Sequence, residues 1–232
     1  MNLFDLSPDE WVAIGLTLKV ATVGVLGSLP VAVALAWLLS YGRFPGKLAV
    51  EALVSLPLVL PPVVTGYALL LLLGRYGPVG GFLDRNFGIV LAFRWTGAAI
   101  AAAVMGFPFM VRGIRLSLDA IEHDLEGAAA SLGAPGWFVF LTITLPLAMP
   151  GILSGAVLAF GRSLGEFGAT ITFVSSIPGE TRTISSAIYA LLQTPEGNGA
   201  VLRLCAISAL LSFAALIGSE LLIRAGRRRL AR

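Results

Sequence analysis

Charge is scarce in this chain. Asp, Glu, Lys and Arg make up 12% of its 232 residues and apolar residues 57%, whereas a soluble domain averages about 25% charged. So few charges cannot cover the surface around that much apolar side chain, which excludes an ordinary soluble domain. There is one cysteine, Cys205, inside an apolar run, so no internal disulfide can form, and it reads as a small packing residue. There is one histidine, His123, in a polar segment, so no Ser–His pair can assemble within the apolar runs. HExxH and other clusters of metal ligands are missing, and no metal site is expected. A phosphate-cradling G-x4-G-K-[ST] loop is missing too: Gly46-Lys47 is followed by Leu48, and Tyr41 stands where the first glycine belongs. The chain is therefore expected to be no enzyme by itself, with no catalytic residue and no nucleotide site. The acidic start Asn2-Leu3-Phe4-Asp5 lacks the basic region of a cleavable signal, and none is expected.

What the chain has is long apolar runs. A helix rises about 1.5 Å per residue, so about 20 apolar residues cross the hydrocarbon. Five runs qualify, near Trp11–Leu39, Ala52–Leu73, Phe93–Leu116, Leu147–Phe173 and Val201–Ile223. The short alternating segments of a membrane β-barrel are not found. The fold class is thus all-α, a polytopic helical membrane protein with about five or six transmembrane helices. A sixth span between Ile177 and Asn198 is disfavoured, because Ile184–Leu192 is too short an apolar run.

Lys and Arg are unevenly shared between the ends of these runs. Arg43, Lys47, Arg112, Arg115, Arg224, Arg227, Arg228, Arg229 and Arg232 collect on one side; Arg75, Arg85, Arg94, Arg182 and Arg203 fall on the other. The positive-inside rule makes the first side cytoplasmic, placing the N-terminus outside and the C-terminus inside. The basic tail reads as a lipid-facing anchor, and no nucleic-acid partner is expected.

That orientation puts the polar segment Glu126 to Pro146 in the cytoplasm. Ile121, Leu125, Ala128 and Leu132 recur there at helical spacing, with Glu122, His123, Asp124 and Glu126 on the other faces. Asp119 is the expected N-cap and Gly133 the expected left-handed end, giving a helix of three to four turns that is apolar on one face. It suits a groove in a partner protein, or a place along the membrane surface.

Span two carries Pro57, Pro61, Pro62, Thr65 and Gly66. These prolines predict a kinked helix, either a gate element or one bent around its neighbours, and the two do not exclude each other. Span four carries Gly151, Gly155, Gly161, Gly165 and Gly168 on one arc, the pattern of close helix approach. Arg162 and Glu166 lie beside that arc one turn apart. Ionisable residues in a span suggest function, but a structural ion pair neutralising both is the favoured reading here. Thr65, Gly66, Ser154, Ser163 and Thr170 are candidates to line a translocation path, since hydroxyls and backbone amides can hold a polar solute without fixed charge.

The spacing Ala129-x3-Gly133-x9-Ile143-x-Leu145-Pro146 resembles the EAA loop of bacterial ABC importer permeases, EAA-x3-G-x9-I-x-L-P. The chain departs from it at Gly127, with the carboxylate one place earlier, at Glu126. The runs Ser163-Leu164-Gly165-Glu166-Phe167-Gly168-Ala169-Thr170 and Pro178-Gly179-Glu180-Thr181-Arg182-Thr183-Ile184, and Leu56-Pro57 through Thr65-Gly66, are similar to the molybdate and sulfate permeases. A length near 230 residues resembles the molybdate branch.

The resemblance implies a type I ABC importer permease fold, a single permease domain over residues 1–232 and a coupling loop at about 118–146. Glu126, Ala128, Ala129, Gly133, Ile143, Leu145 and Pro146 would form the coupling element. The implied partners are two ABC ATPase subunits, a second copy of the chain and a periplasmic or lipid-anchored molybdate-binding protein. ATP and Mg would be bound by the ATPase, leaving this chain without a cofactor, in a bacterial or archaeal cytoplasmic membrane. Sulfate, thiosulfate or tungstate is the alternative cargo. An ATP-independent carrier or channel, with Glu166 as its one buried carboxylate, and a non-transport scaffold are the alternatives of another class.

Overall fold

The computed structural model describes residues 6–194 and 198–230. Residues 1–5, 195–197 and 231–232 lie outside it, as do the side chains of His123, Arg227, Arg228 and Arg229, and with them the acidic start and the expected lipid-facing tail.

The described residues are helical, with no strand among them. The elements are α1 Pro8–Tyr41, α2 Lys47–Val59, α3 Pro62–Leu73, α4 Pro78–Phe87, α5 Trp95–Asp119, α6 His123–Ser131 and α7 Gly136–Val139. A π turn, Phe140–Thr144, follows, then α8 Leu145–Leu164, α9 Gly168–Val174, α10 Ile184–Leu191 and α11 Asn198–Leu230. Among the described residues, four continuous stretches are long and apolar enough to cross a membrane, and the bent pair α2–α3, taken as one span, makes five. α10, at eight residues, is far too short to cross.

α1 opens with a capping box. Ser7 accepts from the Glu10 amide, Glu10 accepts from the Ser7 amide, and Pro8 supplies a preset first turn. The expected kink in span two is a full break of 116°. Pro61 and Pro62 both lack an N–H, and each forces its predecessor out of the helical region. Leu60 (φ −70°, ψ 141°) and Pro61 (φ −53°, ψ 134°) are accordingly extended. The fourth run also differs from its expected bounds. Its continuous helix begins at Gly136 and ends at Leu164, and the residues after Gly165 form the separate α9.

Close contacts fix the direction of each helix. Gly24 of α1 meets Ala99 of α5, and Ser40 at the end of α1 bonds Asp119 at the end of α5, so these helices run parallel. Ser117 and Gly113 of α5 meet Gly151, Gly106 meets Ala159, and Ala102 accepts from Ser163, so α8 runs antiparallel to α5. Glu51 and Ser55 of α2 meet Arg115 and Arg112 near the far end of α5. Leu69, Leu70 and Leu73 of α3 pack against the cluster that holds Ala92, Ala98 and Ala99, at the start of α5. Despite its break, the pair α2–α3 therefore travels from one face to the other.

The core is built from small residues. A Cβ on Gly151 would lie 2.3 Å from Ser117 Cβ and 2.7 Å from the Gly113 carbonyl, so glycine lets α8 lie almost on the α5 backbone. The apolar core holds Ala32, Ala36, Met110, Ile114 and Ile152 toward one end and Val20, Ala98, Met105, Phe173 and Val174 toward the other. Lys19, charged within α1, rests over the Trp95 ring at 3.7 Å, a cation–π contact that offsets its placement in an apolar span.

Candidate functional site

The segment between α5 and α8 begins where α5 closes at Asp119. Asp119 does not cap α6, as the sequence suggested. Its carboxylate accepts from Ser40 and pairs with Arg115 at 3.5 Å, and Glu122 takes the extended N-cap position (φ −68°, ψ 120°). α6 is thus shorter than expected. Asp124 and Glu126 in its first turn suit the positive end of the helix, and Ala128, Ala129 and Ala130 favour helix strongly. Gly133 ends it at φ +84°, with its amide on the Ala130 carbonyl at 3.0 Å and the Ala134 amide on Ala129 at 3.2 Å, a Schellman closure.

α6 packs chiefly on α7 and the π turn. Of its expected apolar face, Ile121 is buried in the bundle, Ala128 is exposed, Leu125 is half exposed and Leu132 is 90% exposed. Trp137 and Phe138, just beyond Pro135, are exposed as well. The outer side of the segment is therefore an apolar surface carried on a helix.

Glu126 turns the other way. Its Oε1 accepts from Tyr41 Oη at 2.9 Å and from Thr144 Oγ1, joining α6 to the end of α1 and to the head of α8. Ile143 and Leu145 are half-buried and Pro146 exposed, and they lie in the π turn and the first turn of α8 rather than in a loop. Pro146 accounts for the π turn. It offers no N–H, and its ring would strike the Thr142 carbonyl of a regular helix, so the backbone widens and the Leu145 amide reaches Phe140 instead. Nearby, Arg115 pairs with Glu51 at 2.8 Å and Arg112 donates to Ser55 at 3.1 Å, fastening α2 to α5 at the same level. The sequence reading missed Tyr41 and Thr144. The only signal was that Thr144 fills the variable position of I-x-L-P.

The candidate path residues fall in two groups. Thr65 and Gly66 of α3 and Thr170 of α9 are buried where these helices cross; a Cβ on Gly66 would lie 2.5 Å from the Ala169 carbonyl. Thr65 Oγ1 is buried there without a hydrogen-bond partner. Ser163 is taken up between α8 and α5, donating to Ala159 at 2.8 Å and Ala102 at 3.3 Å, while Ser154 lies half-buried farther along α8.

Arg162 Nη1 lies 2.7 Å from Glu166 Oε2, with the Glu166 side chain buried and that of Arg162 30% exposed. The contact is charge to charge: no N–H is aimed well enough at Oε2 to count as a hydrogen bond. The other oxygen accepts from the Ala169 amide at 2.9 Å and so ties the start of α9 to the end of α8. The glycine arc divides in the same way. Gly151 and Gly155 press on α5 and Gly168 on Pro62, whereas Gly161 and Gly165 face open space. Among the described residues, no group of three or more His, Cys, Asp or Glu side chains is arranged to hold a metal ion.

The molybdenum transport system permease protein ModB of Escherichia coli (strain K12) is 57% identical over 227 residues, covering 98% of this chain and 99% of that protein. The protein of the same name from Haemophilus influenzae is 51% identical over 94% of this chain and 95% of its own length. The sulfate transport system permease protein CysW of Synechococcus elongatus is 37% identical over 89% of this chain and 72% of itself. Among solved structures, a bacterial ABC transporter importing alginate superposes with a TM-score of 0.69 at 21% identity, over 96% of this chain and 80% of that one. The MetNI methionine ABC transporter, in inward-facing conformations, gives 0.71 at 15%, over 95% and 99%. At those identities the likeness shows the fold alone, the fold of ABC importer permeases. Residues 28–228 match the profile of the binding-protein-dependent transport system inner membrane components, and the chain belongs to that family.

Proposed function

We propose that this chain is the transmembrane subunit of an ATP-driven importer of molybdate. ATPase motion reaches its spans through α6, and the spans alternate between outward and inward access. The observation that carries the reading is α6 itself. It is a helix outside the bundle, closed at Gly133, presenting Leu125 and Leu132 outward, with Trp137 of the adjoining α7 also exposed, at the end of the molecule where Arg43, Lys47, Arg112 and Arg115 gather. An exposed helix with an apolar side fits a groove on a partner. The positive-inside rule makes that end cytoplasmic, with the N-terminus outside and the C-terminus inside.

Residues 1–232 act as one permease domain, with coupling residues Glu126, Ala128, Ala129, Gly133, Ile143, Leu145 and Pro146 in the segment 118–146. Two ATPase subunits bind ATP and Mg, a second copy of the chain completes the pathway, and a binding protein outside delivers the anion. A relative of the fold has been solved with its substrate-bound periplasmic protein, which supports that last partner. The cargo printed for the Escherichia coli and Haemophilus influenzae relatives supports molybdate. The sulfate permease likeness favours sulfate as the second reading, because both cargoes are tetrahedral dianions. Thr65, Gly66, Ser154, Ser163 and Thr170 remain the lining candidates.

The test is made in the coupling helix. A charge at Ala129 or Gly133→Pro, in a chain co-expressed with its ATPase, is expected to abolish ATP-dependent uptake while membrane insertion stays intact. Normal uptake by a well-expressed variant contradicts the assignment.

A further inference from the structure

Resting on the reading above, we propose that Glu126 is a transmission residue. Its carboxylate does not meet the ATPase but works inward, carrying the displacement of α6 into α1 and α8 through a single oxygen atom.

Three observations lead there. First, α6 has few neighbours. It leans on α7 and the π turn and turns Leu125, Ala128 and Leu132 outward, so side-chain bonds decide what moves when α6 is pushed. Second, those bonds converge. Glu126 Oε1 accepts from both Tyr41 Oη and Thr144 Oγ1, from two elements far apart in sequence. Hydrogen bonds to an ionised acceptor are shorter and stronger than neutral ones, which suits a strut. Third, both donors are positioned. The Tyr41 ring stacks on Trp37 at 6.0 Å, and Trp37 meets Phe140 edge-on at 5.9 Å. An aromatic row thus runs from the end of α1 to the first residue of the π turn, whose last residue is Thr144.

The last two residues of α1 hold the segment at two points. Ser40 grips Asp119 just before α6, and Tyr41 grips Glu126 within it. A displacement of α6 cannot leave α1 behind without breaking one of these bonds. The π turn is the compliant part of the linkage. Its wide ladder can shift by one residue relative to a regular helix, and Glu126 holds Thr144 in the present register. This also gives a physical sense to the departure from the EAA pattern. At position 126 the carboxylate faces the bundle, and Gly127 leaves the outer surface without a charge at the next position.

The experiment uses the whole complex of this chain, its ATPase and its binding protein in vesicles, reading cargo taken up per ATP hydrolysed. With Glu126→Ala, the complex is expected to assemble and still hydrolyse ATP, while uptake per ATP falls by about tenfold or more, the worth of a hydrogen bond to a charged group. Glu126→Gln keeps an acceptor for both hydroxyls and is expected to restore most of the ratio. The double variant Tyr41→Phe/Thr144→Val leaves α6 untouched and keeps the Trp37 stack, and is expected to uncouple like Glu126→Ala. It also carries the test if Glu126→Ala fails to fold. An unchanged ratio in the double variant overturns the proposal. So does loss of ATPase co-purification in Glu126→Ala alone, which would make Glu126 a docking residue. A wild-type complex without ATP-dependent uptake overturns the functional reading, and this proposal with it.

Discussion

Arg203 closes on Glu10 with its Nη2 3.1 Å from Oε1 and 3.3 Å from Oε2, tying the start of the last span to the start of the first. The same carboxylate completes the capping box on Ser7, so one buried group serves both a helix terminus and an inter-helix bond. Removing one partner of such a pair leaves an uncompensated charge, at a cost of about 3–5 kcal/mol when burial is complete. Arg203 keeps some exposure, so the lower end applies. Arg203→Ala is expected to lower the thermal unfolding midpoint in detergent, and pairing it with Glu10→Gln should recover part of the loss. If Arg203→Ala alone leaves the midpoint unchanged, the tie contributes nothing.

Thr17 makes a second tie at the same end. Its hydroxyl accepts the Ile184 amide at 2.8 Å and donates to Ala13 at 2.7 Å, docking the first turn of α10 against α1. Thr17→Val keeps the shape but orphans a buried N–H, at a cost of about 1–3 kcal/mol. Hydrogen exchange at Ile184 is the direct readout, expected to speed up while the amides of α5 stay protected. Unaltered exchange at Ile184 would contradict the assignment.

The glycines of α8 are predicted to behave differently from one another. Gly151→Ala sets a methyl 2.3 Å from Ser117 Cβ and against the Gly113 backbone, so α8 must move off α5. Overpacking of this kind costs about 1–3 kcal/mol or more. Gly161→Ala meets nothing within this chain and gains helix propensity. Comparing thermal midpoints of the two variants checks this, with Gly151→Ala falling and Gly161→Ala holding. Equal losses would mean that the close contact is not specific to Gly151.

Gly133 combines a positive φ with two backbone bonds that close α6. Gly133→Ala is expected to cost about 1 kcal/mol by forcing an L-residue left-handed, fraying the last turn of α6 and reducing uptake per ATP without loss of insertion. Insertion and expression at wild-type levels with an unchanged coupling ratio would contradict it.

The parts of this fold legible in the sequence are those set by long apolar runs and by glycine or proline at turn positions. The spans of α1, α5 and α11, the left-handed end at Gly133 and the i,i+4 pair Arg162–Glu166 are all local in sequence, so periodicity and spacing reach them. What periodicity could not give was the size of the break at Leu60–Pro61. A proline pair predicts interruption, but the 116° angle is set by the packing of Gly66 on Ala169 and Pro62 on Gly168, more than a hundred positions apart. The mistaken N-cap has a similar cause. Asp119 has the right chemistry for a cap, but Arg115 one turn earlier and Ser40, 79 positions away, take its carboxylate first, and the Ser40 bond lies far outside the local window. Tyr41 was missed because nothing in the local sequence links its hydroxyl to Glu126, 85 positions on.

The most direct test of the central claim is uptake of radiolabelled molybdate by vesicles holding this chain, its ATPase and its binding protein, with and without ATP and with excess sulfate as competitor. The account predicts uptake that requires ATP and the ATPase and that excess sulfate does not displace. Uptake that persists without ATP or the ATPase would contradict it and make the chain a carrier.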